Sequence, residues 1–205
     1  MKKLLVLALV LVAANAFAQS DPGLNGIGFY FDEGGVSNYL PTQAPYTMIN
    51  CYLLATRITE SSGLLGWEAE VAVIPAPGLA PTYTMNAGMS NLLSAPIFLV
   101  GMANPLPFAP AMKLLTVSVL NFGTPFSLAV GPCNPSSFGR YPYADVPIGP
   151  GYAAGNDLGK LIRLTPSSNV PVPGRAYFYT TAAFMQTAPV AIENDSWGSV
   201  KSLYQ

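Results

Sequence analysis

The sequence predicts an all-β protein built as a two-sheet antiparallel β-sandwich. Twenty prolines and nineteen glycines interrupt the chain every few residues. The short runs between them are rich in Val, Ile, Leu, Tyr, Phe and Thr, which is typical of strands joined by turns. Helical periodicity is nearly absent before the C-terminus. Nine short strands with turn signals between them suit two packed sheets.

The clearest predicted strand runs from Gly66 to Ile74. One face of this strand carries Trp67, Ala69, Val71 and Val73. Glu68 and Glu70 fall on the opposite face, because successive side chains of a strand alternate. We therefore expect both glutamates to face water.

A second strand is predicted from Lys113 to Phe122. Leu115, Val117 and Val119 alternate there with Leu114, Thr116, Ser118 and Leu120, so both faces are expected to be covered, as in a central strand. The other predicted strands are Ile27 to Phe31, Met48 to Thr56, Thr82 to Met85, Ile97 to Val100, Phe126 to Val130, Leu161 to Leu164 and Ala176 to Thr181. Loops rich in Pro, Gly and Tyr join them, namely Pro75 to Pro81, Asn104 to Pro110 and Pro132 to Gly155.

Three segments are predicted along the chain. Residues 1–18 read as a cleavable signal peptide, with Lys2 and Lys3 before an apolar run and a small-x-small cleavage site at Ala16 to Ala18. Residues 19–193 form the sandwich. Residues 194–205 form a short C-terminal helix or tail, with Asp195 or Ser196 as its cap. The mature chain is therefore expected outside the cytoplasm, in the periplasm, at the cell surface or in the medium.

Composition excludes several partners. Without the two signal lysines the chain has seven basic and ten acidic residues, a net charge of about −3, and no basic cluster to bind nucleic acid. Beyond the signal, no stretch approaches the ~20 apolar residues of a membrane-spanning helix. Cys51 and Cys133 are predicted to form a disulfide, since an oxidising compartment favours one over a metal site or a thiol catalyst.

Catalytic chemistry finds little support in the residues. The chain has no histidine, so acid–base catalysis would depend on carboxylates. Glu68 and Glu70 share a strand face and, with a third group, would resemble a glycosidase pair, but the solvated face of a strand is the favoured interpretation. The run Asp32 to Gly35 would suit calcium or a turn, and the turn is favoured. We therefore predict no catalytic residue, no metal and no cofactor.

Tyrosines are the candidate ligand-binding residues. Tyr141, Tyr143 and Tyr152 fall in the long loop between Pro132 and Gly155. Exposed aromatic rings stack on sugars, and tyrosine hydroxyls add hydrogen bonds, so these three side chains predict carbohydrate binding. Packing inside the domain is the competing interpretation.

Three local patterns together resemble a known group. They are Gly26 to Asp32, Gly66 to Val71 and the tail from Ser196 to Tyr204. The chain resembles uncharacterised secreted bacterial proteins whose central region is a cohesin-like, immunoglobulin-like β-sandwich, over roughly Gly26 to Ile192. The resemblance implies a non-enzymatic role in extracellular binding, adhesion or scaffolding, with a protein or glycan partner. A pilus-like surface assembly subunit is the alternative, and a carboxylate hydrolase ranks below it.

Overall fold

The computed structural model describes residues 23–37, 39–40, 43–74, 80–123, 126–138, 149–166 and 176–178. The predicted signal peptide and the predicted C-terminal helix or tail lie outside these residues. Within them the chain is all-β and contains no helix. The strands are β1 (Gly26–Tyr30), β2 (Tyr39–Leu40), β3 (Met48–Thr56), β4 (Leu64–Ile74), β5 (Thr82–Met85), β6 (Met89–Asn91), β7 (Ile97–Leu106), β8 (Ala111–Leu120), β9 (Phe126–Gly131), β10 (Gly151–Ala154), β11 (Asp157–Arg163), β12 (Thr165–Pro166) and β13 (Ala176–Phe178).

The described strands form two sheets. The five-stranded sheet has the order β12-β1-β3-β8-β5, and β1–β12 is its one parallel pair. The eight-stranded sheet contains β4 with β7 and β6 on one side, and β9, β10, β11, β13 and β2 on the other. Its one parallel pair is β13–β2. The predicted antiparallel character is therefore confirmed, with these two exceptions.

One apolar core lies between the two sheets, which is the arrangement of a β-sandwich. The five-stranded sheet contributes Phe29 and Leu53 to it, and the eight-stranded sheet contributes Trp67. Trp67 stacks on Phe98 with ring centroids 5.5 Å apart. Phe98 in turn meets the edge of Tyr83, which belongs to the other sheet. Aromatic contacts therefore bridge the layers.

A turn after β1 covers part of the outer face of the smaller sheet. Asp32 fixes this turn, since its carboxylate accepts hydrogen bonds from the backbone nitrogens of Gly34 (2.8 Å) and Ser37 (2.5 Å). Gly35, at φ +70°, packs its backbone against the side chain of Leu54. This confirms the turn interpretation of residues 32–35.

Candidate functional site

The candidate site lies on the outer face of the larger sheet, around Glu68. Side chains of β4 alternate as expected from the sequence, so Trp67, Ala69 and Val71 enter the core. Glu68 points the opposite way. The expectation that water surrounds it was wrong, because only 3% of Glu68 is exposed. Glu70, two residues further along, is half-buried.

The segment 136–138 covers Glu68. The Glu68 carboxylate accepts a hydrogen bond from the Ser136 hydroxyl at 2.6 Å. The Ser137 backbone nitrogen donates to both carboxylate oxygens, at 3.1 Å and 3.0 Å. A buried carboxylate needs such donors, since burial without them costs several kcal/mol. Glu68 therefore ties a loop to the middle of the sheet.

Strand pairing explains how the loop reaches this position. Gly131, at the end of β9, pairs with Glu70, and Gly151, at the start of β10, pairs with Glu68. Both glutamates also pair with β7, so β9 and β10 lie end to end along the other side of β4. The connection 132–150 therefore leaves and re-enters the sheet within two residues of the same partner strand. Its first described part folds back over Glu68.

Phe138 closes one side of this arrangement. Leu99, Glu68, Gly151 and Arg163 form one row across four neighbouring strands. A Cβ on Gly151 would overlap the Phe138 ring, so the ring rests directly on that glycine. Phe138 is itself buried. The ring therefore lies over Gly151, the position between Glu68 and the cationic residue of the row, Arg163.

A cavity of about 160 Å³ opens beside Glu68 and Ser137. Its floor is the neighbouring row of the sheet, in which Gly101, Gly66 and Ala153 leave little or no side chain. A Cβ on Gly66 would lie 2.8 Å from the Val100 carbonyl oxygen, so this glycine is required by the close approach of β7. The apolar walls are Leu65, Leu99, Leu158 and Leu161. The site is thus an apolar hollow whose described lining includes one acidic residue, Glu68.

The predicted tyrosines have different positions. Tyr141 and Tyr143 belong to the connection 132–150 and lie outside the described residues. Tyr152 lies on β10, is 1% exposed and belongs to the core. Its hydroxyl donates to the Asn25 side-chain oxygen at 3.1 Å. Burial raises the pKa of Tyr152 above its ordinary value.

The prediction of a disulfide between Cys51 and Cys133 was wrong. Cys51 and Cys133 are both buried, and neither is disulfide-bonded. Cys51 lies on β3 in the core between the sheets, whereas Cys133 follows β9 and is not part of that core cluster. The Cys133 thiol donates to the Pro135 carbonyl oxygen at 3.1 Å. The two thiols thus occupy separate buried regions, which their spacing in the sequence does not reveal.

Most described carboxylates have structural partners. Glu33 pairs with Lys113 at 2.6 Å, and Glu60 pairs with Lys160 at 2.5 Å. Asp157 accepts from the Gly159 nitrogen at 2.8 Å. Among the described residues that line the cavity, Glu68 is the one acidic residue. Across the described ranges, no three Cys, Asp or Glu side chains are grouped as metal ligands would be.

Comparison with known proteins gives no relative. No family model matches the chain, and no curated protein or solved structure matches it either. In the described part of the chain, no helix has the length and apolar character needed to cross a membrane.

Apart from Glu68 and Tyr152, the residues that line this site were not identified from the sequence. Glu68 was identified, but as a solvated side chain, because a period of two shows only which face a residue occupies. The available signal was glycine inside strand-like runs, at Gly66 and Gly101, which often marks a close approach of backbone or ligand. Gly151 carried the same signal, but the surrounding prolines and glycines favoured a loop there.

Proposed function

We propose that the mature chain is an exported, non-enzymatic binding module that receives an apolar group of a protein or glycan ligand in the cavity beside Glu68. The finer architecture we propose is the immunoglobulin-like, cohesin-like sandwich that the sequence resembles. Export rests on the predicted signal peptide at residues 1–18.

The cavity is the observation that carries this proposal. Ligand sites are concave and mostly apolar, with a few polar groups placed to orient the ligand. The hollow beside Glu68 has this composition, because leucines form its walls and Glu68 is the one acidic residue of its described lining. An apolar cavity of about 150 Å³ holds a molecule the size of benzene. A single ring or a branched aliphatic group therefore fits.

A binding role is favoured over catalysis by the same residues. Carboxylate-dependent glycoside hydrolysis requires two acidic groups roughly 5 to 10 Å apart across the bond that is cleaved. The described lining of the cavity offers Glu68 alone. Moreover, the Glu68 oxygens already hold Ser136 and Ser137 in place.

Filling the cavity tests the proposal. A Cβ on Gly101 meets no atom within 4 Å, so the backbone there accepts a side chain, and Gly101→Leu is designed to place its branched end in the hollow. Gly131 is equally open but lies outside the cavity lining, which makes Gly131→Leu the matched control. We expect Gly101→Leu to weaken binding of benzyl alcohol, and of any ligand found on a glycan array, by about tenfold or more. Gly131→Leu should bind like the unsubstituted protein.

Equal binding by the two leucine variants would contradict the proposal. Amide chemical shifts during the benzyl alcohol titration report the affinity and show which residues the probe touches. Thermal unfolding of both variants shows that each is folded.

A structural or assembly subunit is the second candidate, and an exposed apolar patch favours it. Tyr46 and Phe122 are exposed and meet edge to face at 6.3 Å, beside the exposed Met48. Asn121 fixes both loops, since its side-chain nitrogen donates to the Ala44 carbonyl oxygen (2.9 Å) and its side-chain oxygen accepts from the Gly123 nitrogen (2.7 Å). Self-association at high concentration that disappears in Tyr46→Ser/Phe122→Ser would support this function. A monomer at every concentration would argue against it.

A further inference from the structure

We infer that the cavity beside Glu68 recognises an alkylammonium group, with the ammonium on the carboxylate and the alkyl chain between the leucines. This inference rests on the proposed function and names the ligand chemistry of that site. It follows from the acceptor capacity of Glu68, from the position of the nearest cationic side chain and from the shape of the hollow.

The carboxylate of Glu68 has one acceptor position that the described donors do not use. An ionised carboxylate offers about four acceptor positions. Among the described residues, Oε1 accepts from the Ser136 hydroxyl and from the Ser137 nitrogen, whereas Oε2 accepts from the Ser137 nitrogen alone. A donor that approaches Oε2 would therefore occupy the remaining acceptor position of the carboxylate.

The described chain supplies no cation to this carboxylate. The two described ion pairs join Lys113 to Glu33 and Lys160 to Glu60. Arg163 shares the row of Glu68, but the Phe138 ring rests on Gly151 between them. A buried carboxylate to which the described residues bring no counter-charge gains more from the cation of a ligand than an exposed carboxylate does.

The leucine walls select the rest of the ligand. Leu99 and Leu65 flank the glycine floor on one side, and Leu158 and Leu161 lie on the other. A chain of four methylenes buries its carbons against such walls while its charged end reaches a polar group, as lysine side chains commonly do. The compact ammonium also suits a single remaining acceptor better than a planar guanidinium, which prefers a bidentate partner.

Four probes test this inference on the mature protein. We would titrate n-butylammonium, 1-butanol, butyrate and Nα-acetyl-lysine-N-methylamide at low salt and pH 7, and follow amide chemical shifts. Butylammonium should bind about tenfold more tightly than butanol, because its charged ammonium adds charge–charge attraction to the hydrogen bond with the carboxylate, whereas the butanol hydroxyl is neutral. Butyrate should bind more weakly still. Tighter binding of the lysine derivative than of butylammonium would identify a peptide side chain as the source, and weaker binding a free amine.

Glu68→Gln and Glu70→Gln form the matched pair of variants. Glutamine at 68 keeps an oxygen that can accept from Ser136 and Ser137, as Oε1 already does, but removes the charge. Glu70 lies on the same face, outside the cavity lining. We expect Glu68→Gln to abolish the preference for butylammonium over butanol and Glu70→Gln to retain it.

The results also separate this inference from the function on which it rests. A preference for the cation that survives Glu68→Gln, or equal binding of both probes by the unsubstituted protein, would overturn the inference. If Gly101→Leu still removed that binding, the cavity would remain a binding site. If Gly101→Leu changed the affinity of none of the four probes, the proposed function would fail as well.

Discussion

At the scale of single residues, Glu68 connects two distant segments of the chain. It lies in the middle of β4, and its partners Ser136 and Ser137 lie in the connection after β9. Three hydrogen bonds therefore fix a loop that leaves the sheet nearby. Glu68 is also one of the residues that line the cavity.

Removing this carboxylate should loosen the loop. Glu68→Ala leaves the Ser136 hydroxyl and the Ser137 nitrogen without their acceptor, and we expect the free energy of unfolding to fall by about 1–3 kcal/mol. Glu70→Ala, at a half-buried position, should change it by less than about 1 kcal/mol. Urea denaturation of both variants measures the difference. Equal stability of the two would mean that the bonds to Glu68 contribute nothing.

Burial of Cys51 should make the protein less stable at alkaline pH. Burial raises the pKa of the Cys51 thiol well above its ordinary value. The unfolded chain then loses its thiol proton near pH 8.5 while the folded chain retains it, so stability is full below that pH and falls above it. The slope should approach about 1.4 kcal/mol per pH unit.

Urea denaturation between pH 7 and pH 10 measures this slope. Cys51→Val is the control and should flatten the curve in that range. Buried Tyr152 and half-buried Tyr83 also have raised pKa values, so their contribution begins only above about pH 10. A curve that is flat to pH 10 in the unsubstituted protein would contradict the burial of Cys51.

At the scale of elements, β4 organises the larger sheet. It pairs with β7 along one side and with β10 and β9 in succession along the other. The junction between β9 and β10 leaves room for the connection 132–150 without breaking the pairing of β4. Gly151 at this junction supports the Phe138 ring.

Substitution of Gly151 should disturb that support. A Cβ there would overlap the Phe138 ring, whereas a Cβ on Gly131 meets nothing within 4 Å. We expect Gly151→Ala to lower the free energy of unfolding by about 1–3 kcal/mol, the usual range for overpacking. Gly131→Ala should be within about 0.5 kcal/mol of the unsubstituted protein. Thermal or urea unfolding measures the stability of both variants. An unchanged stability of Gly151→Ala would contradict the contact between Gly151 and the Phe138 ring.

Strands were largely predictable from the sequence because their signal is local. The predicted bounds of β3 and β5 match the structure, and those of β1, β4 and β9 differ by one or two residues. The sequence analysis missed β10. Its Gly-Tyr-Ala-Ala run forms a strand by pairing with β4 on one side and β11 on the other, and this pairing is not visible in a local sequence pattern. The sequence analysis also ended β7 too early, at Val100, and expected a loop from Asn104 to Pro110, whereas the strand continues to Leu106.

The site was less predictable than the strands. Alternation placed Glu68 on the outer face of β4, which is correct, but no local pattern shows that Ser136 returns to cover it. That contact depends on the pairing of Gly131 and Gly151 with neighbouring positions of one strand. Such a contact belongs to the topology of the sheet.

At the scale of the whole molecule, apolar burial between the sheets holds the described fold together. Cys51 contributes to that core as an apolar side chain, without a disulfide. The structure therefore predicts two thiols in the purified protein. Alkylation with iodoacetamide at pH 8 should modify both cysteines in urea and spare Cys51 in the native state.

Intact mass measures the number of modified cysteines. A reducing agent should leave the unfolding temperature unchanged, since there is no bridge to break. Failure to alkylate either cysteine in urea before reduction, followed by two modifications after reduction, would instead show a disulfide and contradict this description of the core.

Hydrogen exchange at Ser137 tests the central claim most directly, because the cavity exists only if this loop is fixed over the sheet. The Ser137 amide donates to both oxygens of Glu68. We predict that it exchanges at least about a hundredfold more slowly than an unstructured peptide amide, and that Glu68→Ala removes this protection. Exchange of Ser137 at the unstructured rate in the unsubstituted protein would contradict the account.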